Sequence, residues 1–120
     1  MTKRARQQGE LEQLILEILW ASPTPLTSHE ILESANADSA LALTTVLTVL
    51  SRLVDKGLAI RGAGEGRSLL FSAAQTREQH TADLLLKIVS GSSNPALAFS
   101  HFAEGLNDTD LAALRQVLDR

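Results

Sequence analysis

The chain has 120 residues, enough for one modest hydrophobic core with an appended segment and too few for two large independent domains. Aromatic residues are only 3% of the sequence, so aliphatic side chains must build the core, and the absence of cysteine excludes disulfides, thiolate metal sites and cysteine nucleophiles. The formal net charge is −3, which excludes a uniformly basic surface and makes the distribution of charge more informative than its sum.

The amino terminus does not resemble a targeting segment. Lys3, Arg4 and Arg6 are basic, but no apolar run follows them before the first amphipathic pattern, so a signal peptide is not expected. No stretch of the sequence is long and apolar enough to span a membrane. We therefore expect a cytoplasmic protein without membrane insertion.

Two amphipathic helices are predicted in the first third of the chain. Over residues 9–20 the apolar side chains recur at i, i+3, i+4, i+7 and i+8 from Leu11, which indicates a helix that buries one face. The Ser-Pro-Thr-Pro segment at 22–25 ends this helix, because proline disfavours a preceding helical turn. Residues 27–30 match a capping box. The second helix is therefore predicted to begin there, with three inward side chains: Ile31, Leu32 and Ala35.

The third predicted helix, Leu43–Lys56, divides into two distinct faces. At about 100° per residue, its apolar side chains share one arc, which we predict to be buried: Leu43, Val46, Leu47, Val49, Leu50, Leu53 and Val54. The opposite arc carries short hydroxyl groups and charges: Thr44, Thr45, Thr48, Ser51, Arg52, Asp55 and Lys56. Gly57 follows as a predicted left-handed cap.

A short β-hairpin is predicted after this helix. Leu58–Arg61 and Leu69–Ser72 are extended candidates, and the connection 62–67 contains three glycines, which indicates a flexible hairpin tip. Three helices followed by a two-stranded hairpin is the order of a winged helix-turn-helix. We therefore predict a mainly α fold with a winged-helix domain over residues 1–75.

Three further helices are predicted over Thr76–Val89, Pro95–Glu104 and Asp108–Asp119, with Asn107 positioned to cap the last. The first and last of them carry apolar side chains on one face: Leu84, Leu85, Ile88 and Val89, then Leu111, Leu114, Val117 and Leu118. A short helix cannot hide such a surface inside a small winged domain. Association with another chain is favoured, and packing on the first helix is the alternative.

The polar face of the third helix suits the major groove of DNA, which admits one α-helix that packs on its own domain on the other side. Threonine brings the backbone close to the bases and can contact both base edges and the thymine methyl group. The predicted base-contacting residues are Thr44, Thr45 and Thr48. The predicted phosphate-contacting residues are Ser51, Arg52, Lys56, Arg61 and Arg67, the last of which could also enter a minor groove. A merely solvated surface is the alternative.

The charge balance predicts that one copy binds DNA weakly. Between residues 52 and 67 four basic residues stand against two acidic ones, but residues 1–75 carry seven Lys and Arg against eight Asp and Glu. Because affinity for duplex DNA comes largely from neutralising phosphates, useful affinity is expected to need a dimer.

A set of motifs covers nearly the whole chain. These are Gly-Glu-Leu-Glu at 9–12 leading to Leu-Trp at 19–20, Thr-Thr-Val-x-Thr-Val-Leu-x-Arg-Leu at 44–53, Lys-Gly at 56–57, Glu-Gly-Arg at 65–67 and His-Phe-Ala-Glu at 101–104. Together they resemble the penicillinase-repressor family, the BlaI/MecI/CopY-type regulators.

The resemblance implies a homodimeric transcriptional repressor whose winged domains bind the two halves of a palindromic operator in double-stranded DNA. It also implies that the carboxyl-terminal helices, residues 76–120, form the dimer contact, and that repression acts by steric exclusion of polymerase. The predicted dimerisation residues are Leu84, Leu85, Ile88, Val89, Leu111, Leu114 and Leu118.

The resemblance also concerns how repression is relieved. In the well-known β-lactam regulators a membrane sensor pathway leads to cleavage of an Asn-Phe bond, and the nearest match is His101-Phe102, where the first residue differs. His101 and Phe102 are therefore a candidate proteolytic site, with a sensor-linked protease as a candidate partner. The CopY-type branch senses copper through a cysteine cluster, which this sequence lacks.

Other functions have less support from the residues. His29, His80 and His101 lie in separate segments without a convergent acid, base and nucleophile, so no enzyme activity, metal site or cofactor is expected. Two alternatives stay open: a winged-helix protein-interaction module that does not bind DNA, and a winged-helix regulator of another family that responds to a small-molecule ligand.

Overall fold

The computed structural model describes residues 8–37 and 40–120, without the side chain of Gln8. The helices along these residues are α1 (Gln8–Ala21), α2 (Ser28–Ala35), α3 (Leu43–Asp55), α4 (Arg77–Ser90), α5 (Pro95–Gly105) and α6 (Asp108–Leu118). Two strands, β1 (Ala59–Ala63) and β2 (Leu69–Ala73), lie between α3 and α4. None of the described helices is long and apolar enough to cross a membrane.

The chain divides into two compact units, the first ending at Gln79 and the second comprising His80–Arg120. In the first unit three helices precede an antiparallel hairpin, which confirms the predicted winged-helix order. The second unit is helical. The mainly α fold is therefore as the sequence predicts.

The first unit has one aliphatic core, to which α1, α2, α3 and the hairpin all contribute. Its fully buried side chains include Ile15 of α1, Ile31 of α2 and Leu50 of α3, and Phe71 of β2 is the buried aromatic residue. Leu26 ties the α1–α2 connection to the hairpin. Its N–H donates to the Phe71 carbonyl at 2.9 Å, and the Phe71 N–H donates back at 2.7 Å.

A capping box starts α2, as the sequence predicts. Thr27 Oγ1 accepts the Glu30 N–H at 3.2 Å, and Glu30 Oε1 accepts the Thr27 N–H at 2.9 Å. The Thr27 backbone N–H holds the pKa of the Glu30 carboxyl below its ordinary value, because it stabilises the charged form. Thr76 and Gln79 form the same reciprocal pair at the start of α4, so Thr76 caps that helix rather than beginning it.

Gly57 ends α3 as the predicted left-handed cap, with φ of 75°. The Leu58 N–H donates to the Leu53 carbonyl at 2.8 Å, and the Gly57 N–H donates to the Val54 carbonyl at 3.0 Å. These two bonds are the Schellman pattern, which turns the chain sharply out of the helix. The turn carries the backbone directly into β1.

The hairpin is longer than the sequence suggests. Gly62 pairs with Leu70 and Ala63 with Leu69, so both residues belong to β1 and not to the tip. The prediction of a tip over 62–67 was wrong at these two positions, because glycine and alanine carry no strand signal although the backbone ladder includes them. The observed tip closes through the Gly64 N–H to the Ser68 carbonyl at 2.9 Å, with Gly66 at φ of 62°.

We expect Gly57→Ala to lower the free energy of unfolding by about 1–2 kcal/mol, because a Cβ is unfavourable in the left-handed region. No atom lies within 4 Å of the added carbon, so the loss comes from backbone strain alone. Urea unfolding of both proteins measures it. Gly9→Ala, in the first turn of α1 and equally unobstructed, is the control and should not lower the free energy of unfolding, because alanine is the better helix former. Equal effects of the two substitutions would contradict the left-handed cap.

We expect Glu30→Gln to make the stability against urea fall less steeply as the pH is lowered. The pKa of Glu30 is lower in the folded protein than its ordinary value, so the ionised carboxylate stabilises the fold at every pH above that ordinary value. This stabilisation is lost as the pH falls through the lowered pKa. Glutamine keeps the capping geometry but does not titrate. Urea midpoints from about pH 7 to about pH 3 should therefore fall more steeply for the wild type than for the variant. Glu33→Gln, which removes a carboxylate from the same helix and leaves the cap intact, is the control. Wild-type and Glu30→Gln midpoints that fall in parallel would refute stabilisation of the Glu30 carboxylate by the Thr27 N–H.

Candidate nucleic-acid interface

The third helix presents a buried aliphatic stripe and an exposed hydroxyl face. Val46, Val49, Leu50 and Leu53 are buried and occupy about 100° of the helix circumference. Leu47, which the sequence predicts to be buried, is 40% exposed. It lies about 60° beyond the edge of the buried stripe, so the core made by the neighbouring elements does not reach it. That prediction was wrong.

The predicted base-contacting threonines are accessible. Thr44 and Thr48 are exposed, and Thr45 is half-buried. Thr48 Oγ1 donates to the Thr44 carbonyl at 2.9 Å, which occupies the hydroxyl proton but leaves the oxygen able to accept. In a major groove, this oxygen suits an amino group of adenine or cytosine, and the threonine methyl suits thymine.

The cations of α3 differ in their surroundings. Arg52 is exposed and lines a shallow depression with Leu11 and the three threonines. Lys56 places its Nζ 2.6 Å and 3.0 Å from the two carboxylate oxygens of Glu12. A phosphate would therefore have to compete with Glu12 for Lys56. Ser51 is exposed on the same face as Thr44 and Thr48.

The hairpin places one arginine beside α3. Arg67 is exposed at the tip and lines a groove together with Leu47, the start of α2 and the first residues of β2. Arg61 lies on β1 opposite Phe71, with its guanidinium carbon 5.8 Å from the ring centre. Lys3, Arg4 and Arg6 lie outside the described residues. The structure thus brings Arg67 and the exposed edge of α3 to one groove.

The second unit exposes most of its apolar side chains. The helices α4, α5 and α6 contain no fully buried residue. Among the predicted dimerisation residues, Leu84, Leu85, Ile88 and Leu118 are exposed, whereas Val89, Leu111 and Leu114 are half-buried. Exposed apolar residues outside that set are Leu86, Leu97, Phe99, Phe102 and Val117. Leu86 was missed because it lies off the periodicity that marks the predicted face of α4, and Leu97 and Phe99 were missed because no apolar face was predicted for α5.

The candidate proteolytic bond lies inside α5. His101 and Phe102 are both exposed, and His101 Nδ1 is 3.7 Å from a carboxylate oxygen of Glu104. Proteolysis concentrates in exposed loop tips. Cleavage at this bond therefore needs local unwinding of α5.

Three helices, a hairpin wing and an exposed hydroxyl face on the third helix define a winged-helix protein of the regulator class. The model of the penicillinase repressor family matches residues 8–120. The transcriptional regulator BlaI from two strains of Mycobacterium tuberculosis is 32% identical over 115 residues, which cover 92% of this chain and 81% of that protein. The chain belongs to the penicillinase repressor family and is a transcriptional repressor of the winged-helix type.

Several chains of solved structures are also similar. A mutant of ZitR from Lactococcus lactis aligns with a TM-score of 0.48 at 15% identity, over 99% of this chain and 76% of that chain.

Proposed function

We propose that the protein binds a palindromic operator in duplex DNA as a homodimer, acts in the cytoplasm and represses transcription by steric exclusion of polymerase. Residues 1–75 would bind DNA and residues 76–120 would join the two copies. The observation that carries the proposal is the exposed hydroxyl face of α3, whose edge shares a groove with Arg67 at the hairpin tip.

The proposed contacts divide into those that select bases and those that hold the backbone. Thr44, Thr45 and Thr48 would contact base edges, since short side chains let a helix approach the floor of the groove. The proposed phosphate contacts are Ser51, Arg52, Lys56, Arg61 and Arg67. To contact a phosphate, the Lys56 ammonium would have to leave the Glu12 carboxylate or contact both groups at once.

The dimer is supported by the surface of the second unit. Within α4, α5 and α6 no residue is fully buried, and Ile88 and Leu118 are 74% and 72% exposed. Exposed apolar area of this kind is covered in stable proteins by a partner surface. A second copy also doubles the number of phosphate contacts, which compensates for the acidic balance of residues 1–75.

Relief of repression is proposed to involve a sensor-linked protease acting between His101 and Phe102. A cut there would separate α6, with Leu111, Leu114 and Leu118, from the helices that precede it. The two copies would then lose part of the proposed contact, and operator affinity would fall because one copy carries too few cations.

We expect Thr48→Ala to weaken binding to the operator more than binding to random duplex, because Thr48 contributes to selection rather than to general affinity. Arg67→Ala is the matched comparison and should weaken both, while reducing the slope of log affinity against log salt by about one. Fluorescence anisotropy between about 50 and 200 mM salt measures both quantities. Equal losses of Thr48→Ala on the two duplexes would refute a role in base selection.

We expect Leu118→Asp to dissociate the dimer. Each copy would lose about 1.5 kcal/mol of apolar burial, and a symmetric dimer loses it twice, which raises the dissociation constant roughly a hundredfold. Sedimentation equilibrium measures the change. Gln116→Asp adds the same charge on the opposite face of α6 and should leave the dimer intact. A dimer that survives Leu118→Asp, or that dissociates equally with both variants, would contradict the proposed surface.

A further inference from the structure

Leu47 is an apolar side chain on the edge of an otherwise polar surface. It lies one turn after Thr44 and next to Thr48, and 40% of its surface is exposed. The other large aliphatic residues of α3 are buried or half-buried. Leu47 is therefore the large aliphatic residue of α3 that a molecule bound to the exposed face of this helix can contact.

The hairpin does not cover Leu47. Leu69 lines the same groove as Leu47 but is itself 46% exposed, and the remaining lining comes from Arg67, Ser68, Phe71 and the start of α2. The groove is therefore open to solvent between α3 and the hairpin. The exposed part of Leu47 contributes stability only when a binding partner removes it from water.

We propose that Leu47 contacts the 5-methyl group of a thymine in the major groove and so selects a T·A pair in each half-site. This inference rests on the proposed function. In the major groove, thymine presents a methyl group beside its O4 acceptor, whereas adenine, guanine and cytosine present hydrogen-bonding atoms and no methyl group. An apolar side chain therefore favours thymine and disfavours the other bases, whose polar atoms it would desolvate without a partner.

Thymine-to-uracil substitution tests the contact, because it removes the methyl group and leaves base pairing unchanged. An operator is first selected from random duplexes with the full-length protein, and each thymine of one half-site is then replaced singly by uracil. At one thymine, the wild type should bind the uracil duplex about fourfold more weakly, the effect of burying one methyl group. Leu47→Ala should bind the thymine and uracil duplexes equally at that position.

Two further variants separate the contact from general effects. Leu47→Met keeps an apolar side chain and should keep most of the uracil penalty. Leu69→Ala removes the other exposed leucine of the groove and should leave the penalty unchanged, although overall affinity can fall. Thermal unfolding of each variant checks that the fold is retained.

The outcomes distinguish this inference from the proposed function. If no duplex is enriched, DNA binding itself is refuted. If a duplex is enriched but Leu47→Ala shows the same uracil penalties as the wild type at every thymine, DNA binding stands and the thymine contact is overturned.

Discussion

Burial of the aliphatic stripe of α3 is the constraint that positions the rest of the surface. Val46, Val49, Leu50 and Leu53 pack among α1, α2 and the hairpin, and each fully buried side chain contributes about 1.5–3 kcal/mol relative to exposure. These contacts fix the rotation of α3 about its own axis. A rotation by one residue position, about 100°, would exchange core and surface side chains. The threonines therefore face outward because the valines and leucines must face inward.

Local signals in the sequence predict the elements of the fold, whereas contacts between elements decide the details of the site. The capping box at Thr27 and the glycine cap at Gly57 depend on residues within one turn, and both have the predicted hydrogen bonds. The exposure of Leu47 and the backbone pairing of Leu26 depend instead on residues that are distant in the sequence. Periodicity placed Leu47 in the core, but the surrounding elements close over a narrower stripe, and nothing near Leu26 in the sequence reveals its pairing with Phe71.

The two units carry complementary parts of the proposed mechanism. The first unit has a complete core and an exposed polar helix face, but residues 1–75 have slightly more acidic than basic side chains. The second has apolar helices without a buried residue within α4, α5 or α6. Since phosphate contacts add with the number of copies, the proposed surface between two copies would also set the affinity for DNA. Control of repression is therefore expected to act on dimerisation rather than on α3.

A footprint of the full-length protein on its selected operator tests the central claim most directly. Two copies related by a twofold axis would each place one α3 in a major groove. The account predicts two symmetric protected segments whose centres lie about 10–10.5 base pairs apart, or a multiple of that spacing. Protection of a single segment, or no protection at low salt where phosphate contacts are strongest, would contradict it.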